Sequence, residues 1–416
     1  MMKRIDVFVL LLVLMAFFPA VMKADDVIDR GGPIRMWTVP TVYEVDKPVT
    51  FYFDMTDAGF RDGVDLYLWC WNPTEPDAAN WANSSDFAKL TYEGDNVYSM
   101  TITPTKYFSG GATGKTPDDI YAICQTDDWA GFWARLKTRD GSEESAVFQI
   151  PDSRQTWKNF AASGSAVQFY SAQFQGNALN LTDKFTLDKA LTIVFNPDLF
   201  MIGEKSMTEF AKQAGFGGFK LHSGLNDWTY LQGVKAWIPA CMDKVDIARQ
   251  TNGYYTISMK TVYDYYSSQY ADDGSVVSNN LESDEQIDNM AWLVVGILNG
   301  EWGVTSANQL NKAGTAEVYP DPVFSVFPTK VSAYDILTLI RQYNGKRDGV
   351  LTWTLTAGNK SFSGTLDGTR DKRQSSVNLL KELAGTQAST MHLSIKNDAG
   401  TEVVSTDIPL VTPDDE

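Results

Sequence analysis

Apolar and polar residues alternate with a period of two over most of this chain, the mark of strands that bury one face. One such pattern is written three times. Residues 46–53, DKPVTFYF, place an Asp-Lys-Pro entry before alternating β-formers. Residues 188–196, DKALTIVFN, and the run FPTKVSAYDILTLI from Phe327 follow the same scheme. Internal similarity of this kind points to repeated modules.

In the first copy, runs rich in β-branched and aromatic residues fall at 49–54, 64–71, 88–92, 97–103, 120–124, 131–137 and 146–150. Turn signals separate them: Asp62-Gly63, Gly94-Asp95-Asn96 and Asp140-Gly141. Short strands joined by hairpin turns predict an antiparallel sandwich. The second copy keeps the order. Val49 and Phe53 correspond to Leu191 and Phe195, Leu66 and Leu68 to Phe219 and Leu221, and Tyr98 to Tyr255. Tyr107 and Phe108 correspond to Tyr265 and Tyr266, and Trp133 to Trp292. The third copy is shorter. Pro40 and Thr50 correspond to Pro328 and Thr338, and Gly141 to Gly400, with a further hairpin around Gly358. The expectation is an all-β chain of three tandem immunoglobulin-like antiparallel β-sandwiches. Its modules cover 25–151, 152–316 (with a linker at its start) and 317–416 (with an acidic tail). A length of 416 residues suits several domains of roughly 100–150 residues each.

Charge and the first residues set an address. Lys3 and Arg4, the apolar run 7–21 and Met22-Lys23-Ala24 read as a secretory signal peptide over 1–24. The expected destination is outside the cytoplasm: periplasm, outer membrane or cell surface. No later run approaches the ~18 apolar residues of a membrane helix. A formal net charge of −17 disfavours nucleic acid as a partner. Cys70, Cys124 and Cys241 leave two readings open, a Cys70–Cys124 bridge or small buried thiols. Two His and three Cys, none at ligand spacing, predict no zinc site, and no motif calls for a cofactor. There is no G-x-S-x-G elbow, no H-E-x-x-H and no Gly-rich phosphate loop, so the chain reads as non-enzymatic.

The 12 tryptophans carry the candidate chemistry. In 64–71, Val64, Leu66, Leu68 and Cys70 share one face, and Tyr67, Trp69 and Trp71 share the other. Phe219 and Leu221 in the second copy mark the Leu face as core, with Lys220 and His222 on the opposite side. Two readings follow. The Tyr67-Trp69-Trp71 stripe is an outward platform on which sugar rings stack, or it covers a neighbouring loop or domain. The loop after it holds Asn80 and Trp81, and the equivalent loop of the second copy holds Asn226, Asp227, Trp228 and Tyr230. Amides and carboxylates beside exposed rings suit sugar hydroxyls. Trp129 is a further candidate for the platform, whereas Trp133 and Trp292 recur at one position and read as core. The first copy, with the full stripe, is expected to dominate binding.

The runs LYLWCWNPTEPDAANW and FAKLTYEGDNVYSMTITPTKYF, with a leader and tandem sandwiches, resemble the surface glycan-binding and starch-binding outer-membrane proteins of Bacteroidetes polysaccharide-utilisation systems. That resemblance implies a non-catalytic protein that binds a polysaccharide or oligosaccharide, beside an outer-membrane transporter complex. The alternative is a structural or adhesive cell-surface protein whose aromatics pack domain against domain.

Overall fold

The computed structural model describes residues 27–77, 80–110, 113–316, 322–342, 350–368, 372–397 and 400–411. The expected leader lies outside these residues. Strands dominate, and they gather around three separate apolar cores.

The first sandwich pairs two sheets. One runs in the order Arg35–Val39, Val49–Asp54, Val97–Ile102, Thr91–Gly94. The other runs Ile28–Arg30, Glu143–Ser145, Phe132–Lys137, Tyr67–Asn72, with Phe148–Ile150 also on Phe132–Lys137. This is the four-plus-three strand order of an immunoglobulin-type sandwich, with a short extra edge strand. The alternation sends Val49, Phe51 and Phe53 inward to meet Leu68, Cys70, Phe132 and Ala134. The second sandwich repeats the plan with Val167–Gln175, Leu191–Phe195, Tyr255–Met259 and Asp246–Arg249 facing Phe216–Leu225, Asn289–Leu298 and Glu301–Thr305. Here Asp246–Arg249 pairs on both sides, so one ten-stranded sheet wraps the core. In the third, Val323–Phe327, Ile336–Gln342, Lys372–Asn378 and Asp367–Gly368 face a five-stranded sheet ending in the Thr352–Ala357/Lys360–Thr365 hairpin.

The register repeats atom for atom. In each sandwich a Thr of the second strand meets a hydroxyl on the strand directly opposite. Thr50 and Thr101 lie 2.8 Å apart, Thr192 and Ser258 3.0 Å, and Thr338 and Ser376 3.1 Å. Such cross-strand pairs contribute about 0.2–1 kcal/mol each, and they fix which residues face the core.

Two expectations fail, each for a local reason. Residues 120–124 are not a strand but the end of a helix, Pro117–Cys124. Its start carries a full set of helix signals: Thr116 as cap, Pro117 at the first position, and Asp119 closing a capping box. Those outweigh the β-formers that follow. Trp133 is not core. It is 40% exposed, whereas Trp292 is buried in the second core. Cys70 faces Ala134 across the first sandwich's sheet, and Ser223 faces Trp292 across the second's. Trp292 therefore corresponds to Ala134, one residue beyond the position read from sequence. A slip of one residue moves a side chain to the opposite face.

Cys70, Cys124 and Cys241 are free and buried. Burial pushes the Cys124 thiol up to about 12 and the Cys70 thiol higher still, so both remain protonated apolar packing.

The first two sandwiches are locked together by residues 40–46. Val42 sits among Trp157, Phe160, Tyr170 and Val194. The Thr41 N–H donates to Thr192 Oγ1 (2.9 Å) and its hydroxyl to the Tyr170 carbonyl (2.8 Å). Trp157 and Phe160 come from the linker helix Arg154–Ser163, which ends on left-handed Gly164. The Trp157 indole donates to the Tyr43 carbonyl (3.0 Å), while the Ser153 hydroxyl accepts from the Tyr43 N–H (3.0 Å) instead of capping the helix.

The face assignment predicts opposite outcomes for adjacent residues. Phe132→Ala should destabilise the first sandwich by about 3–5 kcal/mol, and Trp133→Ala by less than about 0.5 kcal/mol, as surface changes do. Denaturant unfolding followed through the first sandwich checks this; equal losses would reverse the register.

Candidate functional site

The outer face of the first sandwich's second sheet is built from Tyr67–Asn72 and Phe132–Lys137. Tyr67 lies opposite Lys137 and Trp69 opposite Arg135. The register shifts between Cys70 and Asn72, leaving Trp71 without a partner residue and Trp133 opposite Asn72. Three indoles therefore share this face. Trp69 and Trp71 are half-buried and meet edge to face, with centroids 5.7 Å apart. Trp133 projects furthest into solvent. The Trp69 indole donates to Glu75 Oε1 (3.2 Å), and Arg135 is held by Glu144 beside Trp69.

Tyr67 does not join them. It is buried, with the Arg139 guanidinium 4.7 Å above its ring. Its hydroxyl end of the stripe is roofed by a cation that also reaches Asp86 and the Ser84 carbonyl. Trp129 is likewise no part of the platform. It is buried in the first core, edge-on to Phe132 at 5.2 Å. Asn80 and Trp81 fall in the short helix Asn80–Asn83, and their side chains lie outside the described residues. Asp77 in the same loop is spent on structure, accepting from the Ser85 N–H (2.7 Å) and hydroxyl (2.9 Å).

The second sandwich keeps its candidate residues for itself. Asn226, Asp227 and Trp228 are three successive residues at positive φ (48°, 54° and 73°), forming the tip of the hairpin between Phe216–Leu225 and Tyr230–Gln232. The Asn226 amide donates to the Gln286 carbonyl (3.0 Å) and its oxygen accepts from the Asp288 N–H (2.9 Å). The Asp227 N–H donates to Asn289 Oδ1 (3.0 Å), and the Asp227 side chain is exposed. Tyr230 packs on the second core. Lys220 and His222, expected to look outward, are covered. Lys220 is buried and donates to the Met242 carbonyl (3.0 Å) and Asp246 (2.7 Å) under the helix Pro239–Lys244. His222 lies between Trp228 (5.4 Å) and Trp302 (5.1 Å), and its Nδ1 accepts from the Val234 N–H (3.1 Å). The candidates of the two sandwiches thus form two separate places, and in the second Trp302 is exposed beside half-buried Trp228 and His222.

A third aromatic group was not read from sequence. The outer faces of the first sheets of sandwiches one and two meet across a cleft of about 1350 Å³. Trp37 stacks on Tyr52 (5.2 Å, 7°) and meets Phe174 edge-on at 6.1 Å. Arg35 lies over Phe174 (5.4 Å) and Lys260 over Tyr52 (5.5 Å), with Lys260 also paired to Glu93 at 3.2 Å. Alternation within Val49–Asp54 already places Tyr52 opposite the core face, which is the signal that would have found it. Each aromatic ring named here contacts another sandwich's side chain or stacks on one that does, so these rings join domains.

Among the described residues no group of three His, Cys, Asp or Glu is arranged to hold a metal ion, and no helix is long and apolar enough to cross a membrane.

No protein-family model matches the chain, and no curated protein matches it in sequence. Several solved structures align along most of the chain at low identity. They include FdeC, an adhesin of Escherichia coli, at 11% identity and TM-score 0.23, covering 91% of this chain and 97% of that one. The FN1–FN3 domains of chicken CNTN1 align at 10% and 0.19, covering 92% and 99%. A 1.5-MDa bacterial ice-binding adhesin aligns at 11% and 0.22, covering 91% and 96%.

His222 gives the second sandwich a pH response. Burial lowers its pKa from the ordinary 6.5, and Nδ1 must stay unprotonated to accept from Val234. The unfolded chain therefore takes up the proton first. Stability from this group is complete above about pH 6.5 and is lost as pH falls through the lower folded value. Unfolding of wild type and His222→Gln at several pH values, read by tryptophan fluorescence, should show this loss of stability below about pH 6.5 only in wild type.

Proposed function

We propose that the chain is an exported, non-catalytic adhesive protein of the cell surface. Three sandwiches form a body joined by aromatic packing, and the first presents the contact surface. The observation that carries this reading is the shared outer face of Trp69, Trp71 and Trp133, with Trp133 exposed and the other two half-buried, while the Trp37, Tyr52 and Phe174 group is used between domains. Clustered aromatics that are partly exposed on an acidic chain are where binding energy concentrates.

The ligand class that this face suits is a glycan. Sugar rings offer apolar C–H faces to the indoles, while Arg135 and Glu75 at the margin supply a donor and an acceptor for hydroxyls. A flat, open face of this size favours weak contact with one or a few sugar units, near the millimolar range of about −4 kcal/mol, and repeated contact along a polymer strengthens it.

Affinity electrophoresis against a panel of polysaccharides tests the glycan reading. Retardation by at least one glycan is expected, and Trp71→Ala and Trp133→Ala should each weaken it by about 1–3 kcal/mol without lowering the melting temperature. No retardation of the folded protein by any glycan removes the glycan. Adhesion of cells displaying wild type but not the double variant to a protein-coated surface would then retain the adhesive reading alone.

A further inference from the structure

The three sandwiches are not joined alike. Between the first two, apolar side chains share a cluster, with Val42 of one among Trp157 and Phe160 of the linker helix and Tyr170 and Val194 of the other. Among the described residues the third core holds side chains of the third sandwich alone, from Phe324 to Leu410. Its contact with the first sandwich is made by charge. Arg373 pairs with Asp95, and the two side chains are only 6% and 13% exposed.

Both halves of this pair are built for it. In Ile336–Gln342, Leu337 and Leu339 enter the third core, and Arg341 holds the next position of the same face. Lys372–Asn378 lies alongside, with Val377 opposite Leu337 and Arg373 opposite Arg341. Both arginines are buried. Like charges directly opposite each other repel, and a buried charge needs a counter-charge. This end of the third core is therefore a cationic socket. On the first sandwich, Asp95 stands at the tip of the hairpin between Thr91–Gly94 and Val97–Ile102, at a φ of 53°. The turn is fixed by its own sandwich. Asp62 accepts from the Asn96 N–H (2.9 Å) and the Tyr92 hydroxyl (2.7 Å), and the Asn96 carbonyl accepts from the Met55 N–H (2.9 Å). The carboxylate is thus presented at a set place, independently of the third sandwich.

We propose that this contact is a latch that holds the third sandwich over the cleft between the first two, and that its release lets the third sandwich swing and opens the cleft. The latch stands at the rim. Glu93, Gly94 and Asp95 line the cleft from the first sandwich, residues 312–316 from the connection toward the third, and Val350 from the third itself. Domain contacts without a large apolar component permit relative motion. Here the restraint is a charge on a rigid turn entering a socket of opposite sign. Removing the Asp95 charge takes away the first sandwich's counter-charge and leaves the two arginines facing each other without it.

Small-angle X-ray scattering of the full chain decides it. Asp95→Asn removes the charge and keeps a residue type that tolerates positive φ; Arg373→Met removes the cation and keeps an apolar stem. Wild type should give one compact profile. Each variant should lengthen the maximum dimension by about 10 Å or more, comparable with the ~13 Å radius of gyration of a 100-residue module. The double variant should lengthen it no further than the larger single effect, because both residues act through one contact. Circular dichroism should show the strand signal of wild type in all three variants. Unchanged profiles in both single variants overturn the proposal, as does a wild-type chain that is already extended. Lengthening accompanied in both single variants by lost strand signal also overturns it, by assigning the pair to the folding of the third sandwich rather than to its position.

Discussion

Val42 and the hydrogen bonds on either side of it hold the first two sandwiches in one arrangement. The side chain sits against Trp157, Phe160, Tyr170 and Val194, and the neighbouring backbone is tied to Thr192, Tyr170, Ser153 and Trp157. Contacts between domains of one chain ordinarily permit motion unless they are large and apolar. Here apolar burial and hydrogen bonding coincide. Separating the domains would wet Val42 and Trp157 and strip buried donors of their partners, at about 1–3 kcal/mol for each group left unsatisfied. Thr251 reinforces the joint from the second sandwich, donating to Asp46 at 2.8 Å.

That joint determines what the remaining surfaces can do. With residues 40–46 seated, the outer faces of the first two sheets turn toward each other, and Trp37, Tyr52 and Phe174 become a domain contact. On the opposite sheet of the first sandwich Trp133 is exposed and Trp69 and Trp71 are half-buried. Arg373 of the third sandwich also reaches Asp95 of the first, on the hairpin turn where Asp95 and Asn96 both take positive φ. This ion pair is buried, and removing either partner would leave a costly uncompensated charge.

Buried cations recur where strands would otherwise look outward. Lys137 is fully buried, and its ammonium donates to the carbonyls of Thr138 and Arg139; burial depresses its pKa. Lys220 likewise donates to a backbone carbonyl, that of Met242, beneath Pro239–Lys244. In both cases a charged residue at an outward position of the alternation was covered by a local segment that offers carbonyl oxygens, so polarity alone did not mark solvent.

The sequence by itself determined most of the strands, their order, and much of the repeated register. Val49 and Leu191, Thr50 and Thr338, and the hairpin glycines Gly141 and Gly400 (φ 72° and 79°) occupy matching places because alternation and turn chemistry are properties of a few adjacent residues. Only the tertiary structure decided which outward residues meet water. Tyr67 is roofed by Arg139, Lys220 by a helix, His222 by Trp228 and Trp302, and Tyr52 by another sandwich. Trp133, matched to buried Trp292 by a correspondence one residue out, is open. Period two states that a residue leaves the core of its own sheet. Whether something else then covers it depends on segments far along the chain, and a bulge of one residue exchanges the two faces without changing the local pattern.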